Sequence, residues 1–193
     1  MRVHGKGRKG WLPAFRDSAL FKVAYAYGLR RNETRMLDLT DFGRNPEGRE
    51  FGGYGTLLVR YGKAKKGSPP KRRSVLTVWH WTPGSIEEWI SEVRPGMRHS
   101  TSRALWPSER GPRIGLQRLD SRFAAYRDAA GLDPALEFRS LRRSYITHLI
   151  EDGHDHASTT AIYTCVSSDF RTRSLRRVLD ATIEAALRQG RTS

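Results

Sequence analysis

The segment from Phe138 to Ser168 restricts the possible folds of this chain most, because apolar residues recur at helical spacing through its first half and arginines lie between them. This spacing predicts a helix with one buried face. The residues of the predicted buried face are Phe138, Leu141, Tyr145 and Leu149. Arg139 and Arg142 lie three positions apart, where like charges repel, and a phosphate between their guanidinium groups would remove that repulsion. We therefore interpret the segment as a site for a phosphodiester.

A tyrosine later in the same segment is a candidate nucleophile. The run Ser158-Thr159-Thr160 is typical of a helix start, and the short segment after it would bring the hydroxyl of Tyr163 towards the arginines. Tyrosine can form a covalent intermediate. An isolated tyrosine beside an apolar residue is usually part of the core, with its hydroxyl hydrogen-bonded. Residue type and spacing alone therefore leave both interpretations of Tyr163 open.

The charge of the chain indicates a polyanionic partner. Thirty-five Lys and Arg against twenty Asp and Glu give a net charge of +15 over 193 residues. Nucleic acid is the first interpretation, and a generic RNA-binding or membrane-surface protein could carry the same charge. No apolar run approaches the length of a membrane span and no signal peptide opens the sequence. A single cysteine, Cys165, fits a reducing compartment, so we expect a cytoplasmic protein.

The end of the segment carries a recognisable motif. Gly153-His154, followed by Ser158-Thr159-Thr160 and Ile162-Tyr163, resembles the GHxxxxTTxxY signature of tyrosine recombinases, also called phage integrases. The resemblance implies that Tyr163 is the nucleophile and that His154, nine residues before it, is a catalytic residue. It implies DNA cleavage and rejoining through a 3′-phosphotyrosyl link. No metal or nucleotide cofactor is implied.

The start of the segment is similar to an upstream motif of the family, H-x-L-R followed by a helix ending in T-H-L. Here the motif reads Arg139-Ser140-Leu141-Arg142, with Thr147-His148-Leu149 after it. Arg142 then matches the second catalytic arginine. Arg139 stands where histidine is usual, and it retains a hydrogen-bond donor but has no imidazole to exchange a proton near neutral pH.

Two earlier stretches resemble further motifs of the family. The sequence Gly28-Leu29-Arg30, with Glu33 three residues on, is similar to G-L-R-x-x-E. The resemblance implies that Arg30 is the first catalytic arginine and that Glu33 is an acid that helps to hold the site. The cationic stretch that begins at Gly62-Lys63 resembles the family's hairpin G-K-G-x-x-K-x-R, which places Lys63 as the lysine that protonates the leaving oxygen.

The patterns along the chain predict a mainly α fold with a small antiparallel β-sheet, as in the tyrosine recombinase catalytic domain. We expect residues 1–12 to be a basic flexible arm or the end of a linker, without the separate DNA-clamping domain of the family, and residues 13–193 to form the catalytic domain. The first of these predicted helices begins at Pro13 and ends at Gly28. Further helices are predicted over 83–93, around 116–127 and over about 173–188. The predicted strands are 56–61 and 74–79, and 94–112 is predicted to be irregular.

Three further surfaces and sites have more than one interpretation. The arginines of the helix near 116–127 could lie along a phosphate backbone or form ordinary surface; they are Arg118, Arg122 and Arg127. The C-terminal helix could dock on its own domain or on a second copy bound to double-stranded DNA. His154, His156 and Cys165 are too few and too widely spaced for a zinc site, so we expect no metal.

The sequence departs from the family between Gly153 and His154, where about a dozen residues that form a short helix in the family are missing. We expect this apparent internal deletion near 153/154 to displace the segment from His154 to Tyr163 and to weaken cleavage. The alternatives to an active recombinase are a catalytically impaired DNA-binding remnant of an integrase and a strand transferase similar to a type IB topoisomerase.

Overall fold

The computed structural model describes residues 10–62, 69–70 and 72–152 of the chain. The chain divides into two compact units, residues 1–143 and residues 144–193. The described part of the second unit, 144–152, is the end of a helix and the turn after it. The described residues are mainly helical, with a three-stranded antiparallel sheet, so the predicted fold class is confirmed.

Five α-helices are present in the described residues. They are α1 (Trp11–Ala26), α2 (Arg31–Arg35), α3 (Thr82–Glu87), α4 (Leu116–Ala129) and α5 (Phe138–Glu151). A π-helical segment, Glu88–Val93, continues α3, and a short 3₁₀ turn, Arg94–Gly96, follows it. Two further 3₁₀ segments, Leu39–Asp41 and Arg49–Tyr54, lie between α2 and the second strand.

The sheet contains a hairpin whose strands were predicted. Its strands are β1 (Phe42–Gly43), β2 (Thr56–Val59) and β3 (Arg73–Leu76), in the order β1-β2-β3 with antiparallel pairing throughout. In the hairpin, Thr56 pairs with Leu76 and Val59 pairs with Arg73. The buried side chains alternate along β2, as expected of a strand with one face on the core. Both strands end two or three residues before the sequence pattern places their ends.

Two tryptophans form the centre of the core. Trp89 and Trp106 are fully buried, and their rings stack with centroids 5.8 Å apart. The indole N–H of Trp89 donates to the carbonyl of Leu105 and that of Trp106 donates to the carbonyl of Thr34. The irregular stretch 94–112 is therefore anchored by Trp106. Among the apolar residues of the predicted helix 83–93, Ile86, Trp89 and Val93 are buried, whereas Ile90 is only half-buried.

The helix α1 ends before Gly28, as the sequence predicts, and its buried face includes two charged side chains. Phe15 and Phe21 are half-buried, whereas the side chains of Arg16 and Asp17 are fully buried. Arg16 donates to Asp17 at 2.8 Å and to the carbonyl of Pro107 at 3.1 Å. Buried charges are tolerated only when they are paired and hydrogen-bonded, and these contacts satisfy that condition.

An aromatic cluster positions the start of α5. The ring of Phe21 on α1 contacts the rings of Phe123 and Tyr126 on α4 and of Phe138 on α5, all edge to face, with centroids 5.6 to 6.0 Å apart. Such edge-to-face pairs are favourable beyond the area that they bury. The first turn of α5, which precedes Arg142, is therefore held against α1 and α4.

Candidate active site

Arg30 follows a glycine turn that closes α1. Gly28 has a φ of 56°, and its N–H donates to the carbonyl of Tyr25 at 3.0 Å, while the N–H of Leu29 donates to the carbonyl of Ala24 at 2.9 Å. This pair of bonds is a Schellman motif, which favours glycine because a Cβ strains the left-handed conformation. Arg30 then adopts an extended conformation at the N-cap position of α2. Its side chain thus leaves the backbone at the junction of two helices.

Glu33 holds Arg30 through both backbone and side chain. Oε2 of Glu33 accepts the backbone N–H of Arg30 at 2.8 Å, and Oε1 accepts Nη1 of Arg30 at 3.0 Å. Arg73, at the start of β3, donates Nη1 to Oε1 and Nη2 to Oε2, both at 2.8 Å. Burial alone raises the pKa of Glu33, but the hydrogen bonds and charge of Arg73, with the bonds from Arg30, lower that pKa to about 2. Glu33 is therefore an anion at neutral pH, as expected of an acid that holds the site.

Arg142 reaches the same turn from α5. Its guanidinium donates through Nη1 to the carbonyl of Gly28. Gly28 and Arg30 are two residues apart, so their Cα atoms lie within about 7 Å of each other. Arg142 is half-buried, and the side chain of Arg30 is 37% exposed. The structure thus brings the two arginines singled out by sequence motifs to one turn of the chain.

Arg139 has a different environment. Its side chain is 66% exposed and forms an ion pair with Glu137, with 2.8 Å between Nε and Oε2. Arg139 also lines a cleft of about 540 Å³ together with Arg31 and Asp120, which form an ion pair with each other. Glu137 supplies a counter-charge to Arg139, so the closeness of Arg139 and Arg142 in sequence does not by itself require a bound anion.

Three of the predicted site residues lie outside the described residues: Lys63, His154 and Tyr163. The same holds for the apparent deletion near 153/154, the predicted helix 173–188, and His156 and Cys165. The strands on either side of Lys63 are described, because β2 ends at Val59 and β3 begins at Arg73. Along the sequence Lys63 lies between these two strands, and its role stays a prediction.

The arginines predicted on α4 are largely used within the protein. Arg122 donates to Asp17, and Arg127 donates to two backbone carbonyls of the loop that follows α4. Arg118 is 56% exposed, and its nearest carboxylate oxygen, on Glu109, is 3.9 Å away. Of the two interpretations of this face, a row of arginines along a phosphate backbone therefore does not describe Arg122 and Arg127.

Arg73 is the residue near this site that the sequence analysis did not single out. Its position in the run Lys71-Arg72-Arg73 suggests an ordinary cationic hairpin. The usable signal is the alternation of β3, because Arg73 and Val75 share one face of the strand and Val75 is buried. A cation on that face needs a buried partner, and Glu33 provides it.

A second carboxylate cluster fixes the turn after α2. Asp41 accepts Nε and Nη2 of Arg60 at 2.7 and 2.8 Å, and Asp38 forms ion pairs with Arg60 and Arg113. The hydrogen bond with Asp41 is the main reason that the pKa of Arg60 is raised. Asp41 directly precedes β1, and the cluster attaches the end of α2 to β2.

Membrane-spanning helices and metal-binding clusters are both absent from the described residues. No helix within 10–62, 69–70 and 72–152 is long and apolar enough to cross a bilayer. In those same ranges, no three His, Cys, Asp or Glu side chains come together as a group that could hold a metal ion.

The arrangement of helices and hairpin is that of recombinase and integrase catalytic domains. The XerH site-specific recombinase bound to its palindromic difH substrate superposes with a TM-score of 0.62 at 21% identity, over 94% of this chain and 48% of that one. The Tn1549 transposon integrase in complex with circular intermediate DNA superposes with a TM-score of 0.59 at 14% identity, over 88% of this chain and 55% of that one. At these identities the likeness establishes the fold.

Sequence relatives define the family. The chain is 30% identical over 188 residues to the tyrosine recombinase XerC of Shewanella amazonensis, covering 92% of this chain and 56% of the relative. It is 28% identical over 174 residues to the tyrosine recombinase XerD of Corynebacterium glutamicum, covering 84% and 51%. The chain thus spans about half the length of these relatives. It belongs to the phage integrase family, whose sequence model matches residues 12–168.

Proposed function

We infer that this chain is the catalytic domain of a site-specific DNA recombinase that cleaves and rejoins DNA through a 3′-phosphotyrosyl intermediate. The observation that carries the proposal is the meeting of Arg30 and Arg142 at the turn after α1, with Arg30 held by the buried Glu33. Two guanidinium groups at one partly exposed turn suit a phosphodiester, whose oxygens accept their donors. Membership of the phage integrase family supports the same function.

Each proposed site residue has a role in this reaction. The hydroxyl oxygen of Tyr163 gives its proton to water and attacks phosphorus, and the bond from phosphorus to the 5′-oxygen breaks. Lys63 gives a proton to that oxygen. Arg30, Arg142 and His154 stabilise the charge on the nonbridging oxygens. The 5′-hydroxyl of a partner duplex then reverses the step, and the reaction uses no metal and no cofactor.

Arg139 contributes positive charge where the family has a histidine. Its ion pair with Glu137 reduces that contribution, and its side chain lies mostly in solvent. A guanidinium group stays protonated near neutral pH, so it does not act as a general acid or base. We therefore assign Arg139 an electrostatic role and no role in proton transfer.

The proposed partner is double-stranded DNA, and the proposed assembly is a homo-oligomer on DNA joined through the C-terminal helix that the sequence predicts over about 173–188. The XerH and Tn1549 integrase structures are complexes with DNA, which supports the first part. A tyrosine recombinase of this type acts in the prokaryotic cytoplasm, where we place this chain on the nucleoid when it is bound to DNA.

The test is the formation of a covalent protein–DNA adduct on a pool of nicked duplexes with a randomised centre, so that no target sequence is needed. We expect the chain to give an adduct of low yield, and Tyr163→Phe to give none while it binds DNA with the same affinity. An adduct that survives Tyr163→Phe contradicts the assignment of the nucleophile. Relaxation of a supercoiled plasmid without joining of two duplexes would favour the topoisomerase-like alternative.

The apparent deletion gives a second arm to this experiment. Insertion of about a dozen helix-forming residues after Gly153 should raise the adduct yield, whereas a Gly/Ser insertion of equal length should not. DNA binding without any adduct, even after the helical insertion, identifies an inactive remnant and rejects the proposed reaction.

A further inference from the structure

Glu33 is shared between two arginines, and the sharing is unequal. Arg73 meets both carboxylate oxygens in a parallel fork at 2.8 Å, whereas the side chain of Arg30 has a single bond to Oε1 at 3.0 Å. The fork determines the plane of the carboxylate, because two parallel N–H donors fix its rotation. The direction in which Glu33 holds the Arg30 side chain is therefore set mainly by Arg73.

The charges of the cluster lead to the same residue. Arg30 and Arg73 contribute two positive charges and Glu33 one negative charge, so these three side chains carry a net charge of +1. The Glu33 side chain is 1% exposed, which prevents water from replacing a lost partner. Without Arg73, Glu33 would keep Arg30 as its counter-ion, and the remaining pair would be neutral.

Arg73 also links this cluster to the hairpin. It is the first residue of β3 and pairs with Val59, the last residue of β2, so it lies at the base of the connection formed by residues 60–72. Lys63 belongs to that connection. The same ion pair therefore connects the base of the hairpin with the first turn of α2, where Arg30 begins.

We propose that Arg73 is a positioning residue, which acts through Glu33 to orient Arg30 towards the DNA phosphate and to leave its charge available for that phosphate. This inference rests on the proposed function of Arg30. Arg73 itself does not contact the reacting atoms in this scheme. Its neighbour Arg72 is exposed and provides a matched control, because it carries the same charge on the same hairpin.

The first measurement does not need catalysis. In protein labelled with ¹⁵N-arginine, the Nε–H resonance of Arg30 is assigned from its loss in Arg30→Ala, and inorganic phosphate is titrated. We expect the resonance to shift with phosphate in the wild type and in Arg72→Gln, and to shift at least several-fold less in Arg73→Gln. If the Arg30 resonance of the wild type does not shift with phosphate, the proposed function of Arg30 is contradicted. If the shift in Arg73→Gln equals that of the wild type, only the role of Arg73 is contradicted.

The second measurement is the single-turnover rate of adduct formation at saturating nicked duplex, in the chain with the helical insertion after Gly153. Arg73→Gln should lower this rate by about 10-fold or more, since small misplacements of a catalytic group are costly, and change the DNA dissociation constant less than about 3-fold. In an Arg30→Ala background Arg73→Gln should cause no further loss. Additive losses in the double variant would show that Arg73 acts independently of Arg30 and would reject the inference.

Arg73→Lys serves where Arg73→Gln does not fold. Lysine keeps the positive charge but not the fork. We expect the phosphate response of Arg30 to persist in this variant and the rate to fall several-fold. A rate equal to that of the wild type would contradict the orienting role of the fork.

Discussion

Glu33 is a single buried carboxylate on which two arginines depend. Its carboxylate is ionised, although burial opposes ionisation, because Arg73 and Arg30 donate four hydrogen bonds to it. Removal of the negative charge of Glu33, or of its two parallel hydrogen bonds with Arg73, leaves a partly buried guanidinium group without its partner. At the scale of residues, the stability of this region is therefore tied to the protonation of one group.

The pH dependence of stability tests this link. The pKa of Glu33 falls from 4.5 to about 2 on folding, so its stabilising contribution is complete above about 4.5 and is lost as the pH falls towards 2. A shift of this size corresponds to about 3 kcal/mol. In urea unfolding, Glu33→Gln should be less stable than the wild type by about that amount at pH 7, with the gap closing towards pH 2.

The control for this prediction is Glu137→Gln. Glu137 also pairs with an arginine, but its side chain is 57% exposed, and an exposed pair of this kind contributes at most about 1 kcal/mol. This variant should follow the wild type across the pH range. A gap for Glu33→Gln that stays constant from pH 7 to pH 2 would mean that ionisation of Glu33 does not stabilise the fold.

At the scale of elements, two helices end in the same way but only one end belongs to the site. Gly28 after α1 and Gly131 after α4 both have positive φ, 56° and 64°, and both form the two hydrogen bonds of a Schellman motif. Replacement of either glycine by alanine imposes a similar backbone penalty of about 1 kcal/mol. Arg142, however, is anchored to the carbonyl of Gly28.

We therefore predict that only one of the two replacements affects function. Gly131→Ala should lower the free energy of unfolding by about 1 kcal/mol, measured in urea, and Gly28→Ala by at least as much because Gly28 is buried. Gly28→Ala should also lower adduct formation by about 10-fold, because the turn that carries Arg30 and anchors Arg142 moves. Equal adduct formation in the two variants would contradict the importance of this turn.

Local sequence signals predict where helices and strands end, but they do not predict contacts between residues that are far apart in the sequence. Gly28 ends α1 and the hairpin strands form as expected, because turn chemistry and alternation act over a few residues. The burial of Arg16 and Asp17 is not predictable from helical periodicity, since the acceptor Pro107 and the donor Arg122 are 91 and 105 residues away.

In the candidate active site, too, a local contact is predictable from the sequence and a distant one is not. The i, i+3 spacing of Arg30 and Glu33 is visible in the sequence, and their contact is present in the structure. The fork from Arg73 depends on the register of β2 and β3, which places it beside a residue 40 positions earlier. A pattern within one strand indicates the face of Arg73 but not its partner.

At the scale of the whole molecule, the net charge of +15 predicts salt-sensitive binding to DNA. If about six phosphates are contacted, affinity for a duplex should fall roughly 10³-fold between 50 and 200 mM salt, as counterions are no longer released favourably. A plot of log dissociation constant against log salt, measured by fluorescence anisotropy, should be linear.

The control for the salt experiment replaces salt by sucrose at equal osmolality, which should leave affinity unchanged because counterion concentration is unchanged. A flat salt dependence, or tighter binding to an acidic protein than to DNA, would contradict the proposed partner.

The slope also counts phosphate contacts, so Arg118→Gln would lower it by about one if the exposed Arg118 meets a phosphate.

The buried charges of α1 have a consequence for synthesis on the ribosome. Arg16 and Asp17 leave the exit tunnel before their partners Pro107, Glu109 and Arg122, which are translated roughly a hundred residues later. Until then the two charges have no complete set of partners and are stable only in water. The nascent α1 therefore remains hydrated along this face, and the first unit closes only after Arg122 has emerged.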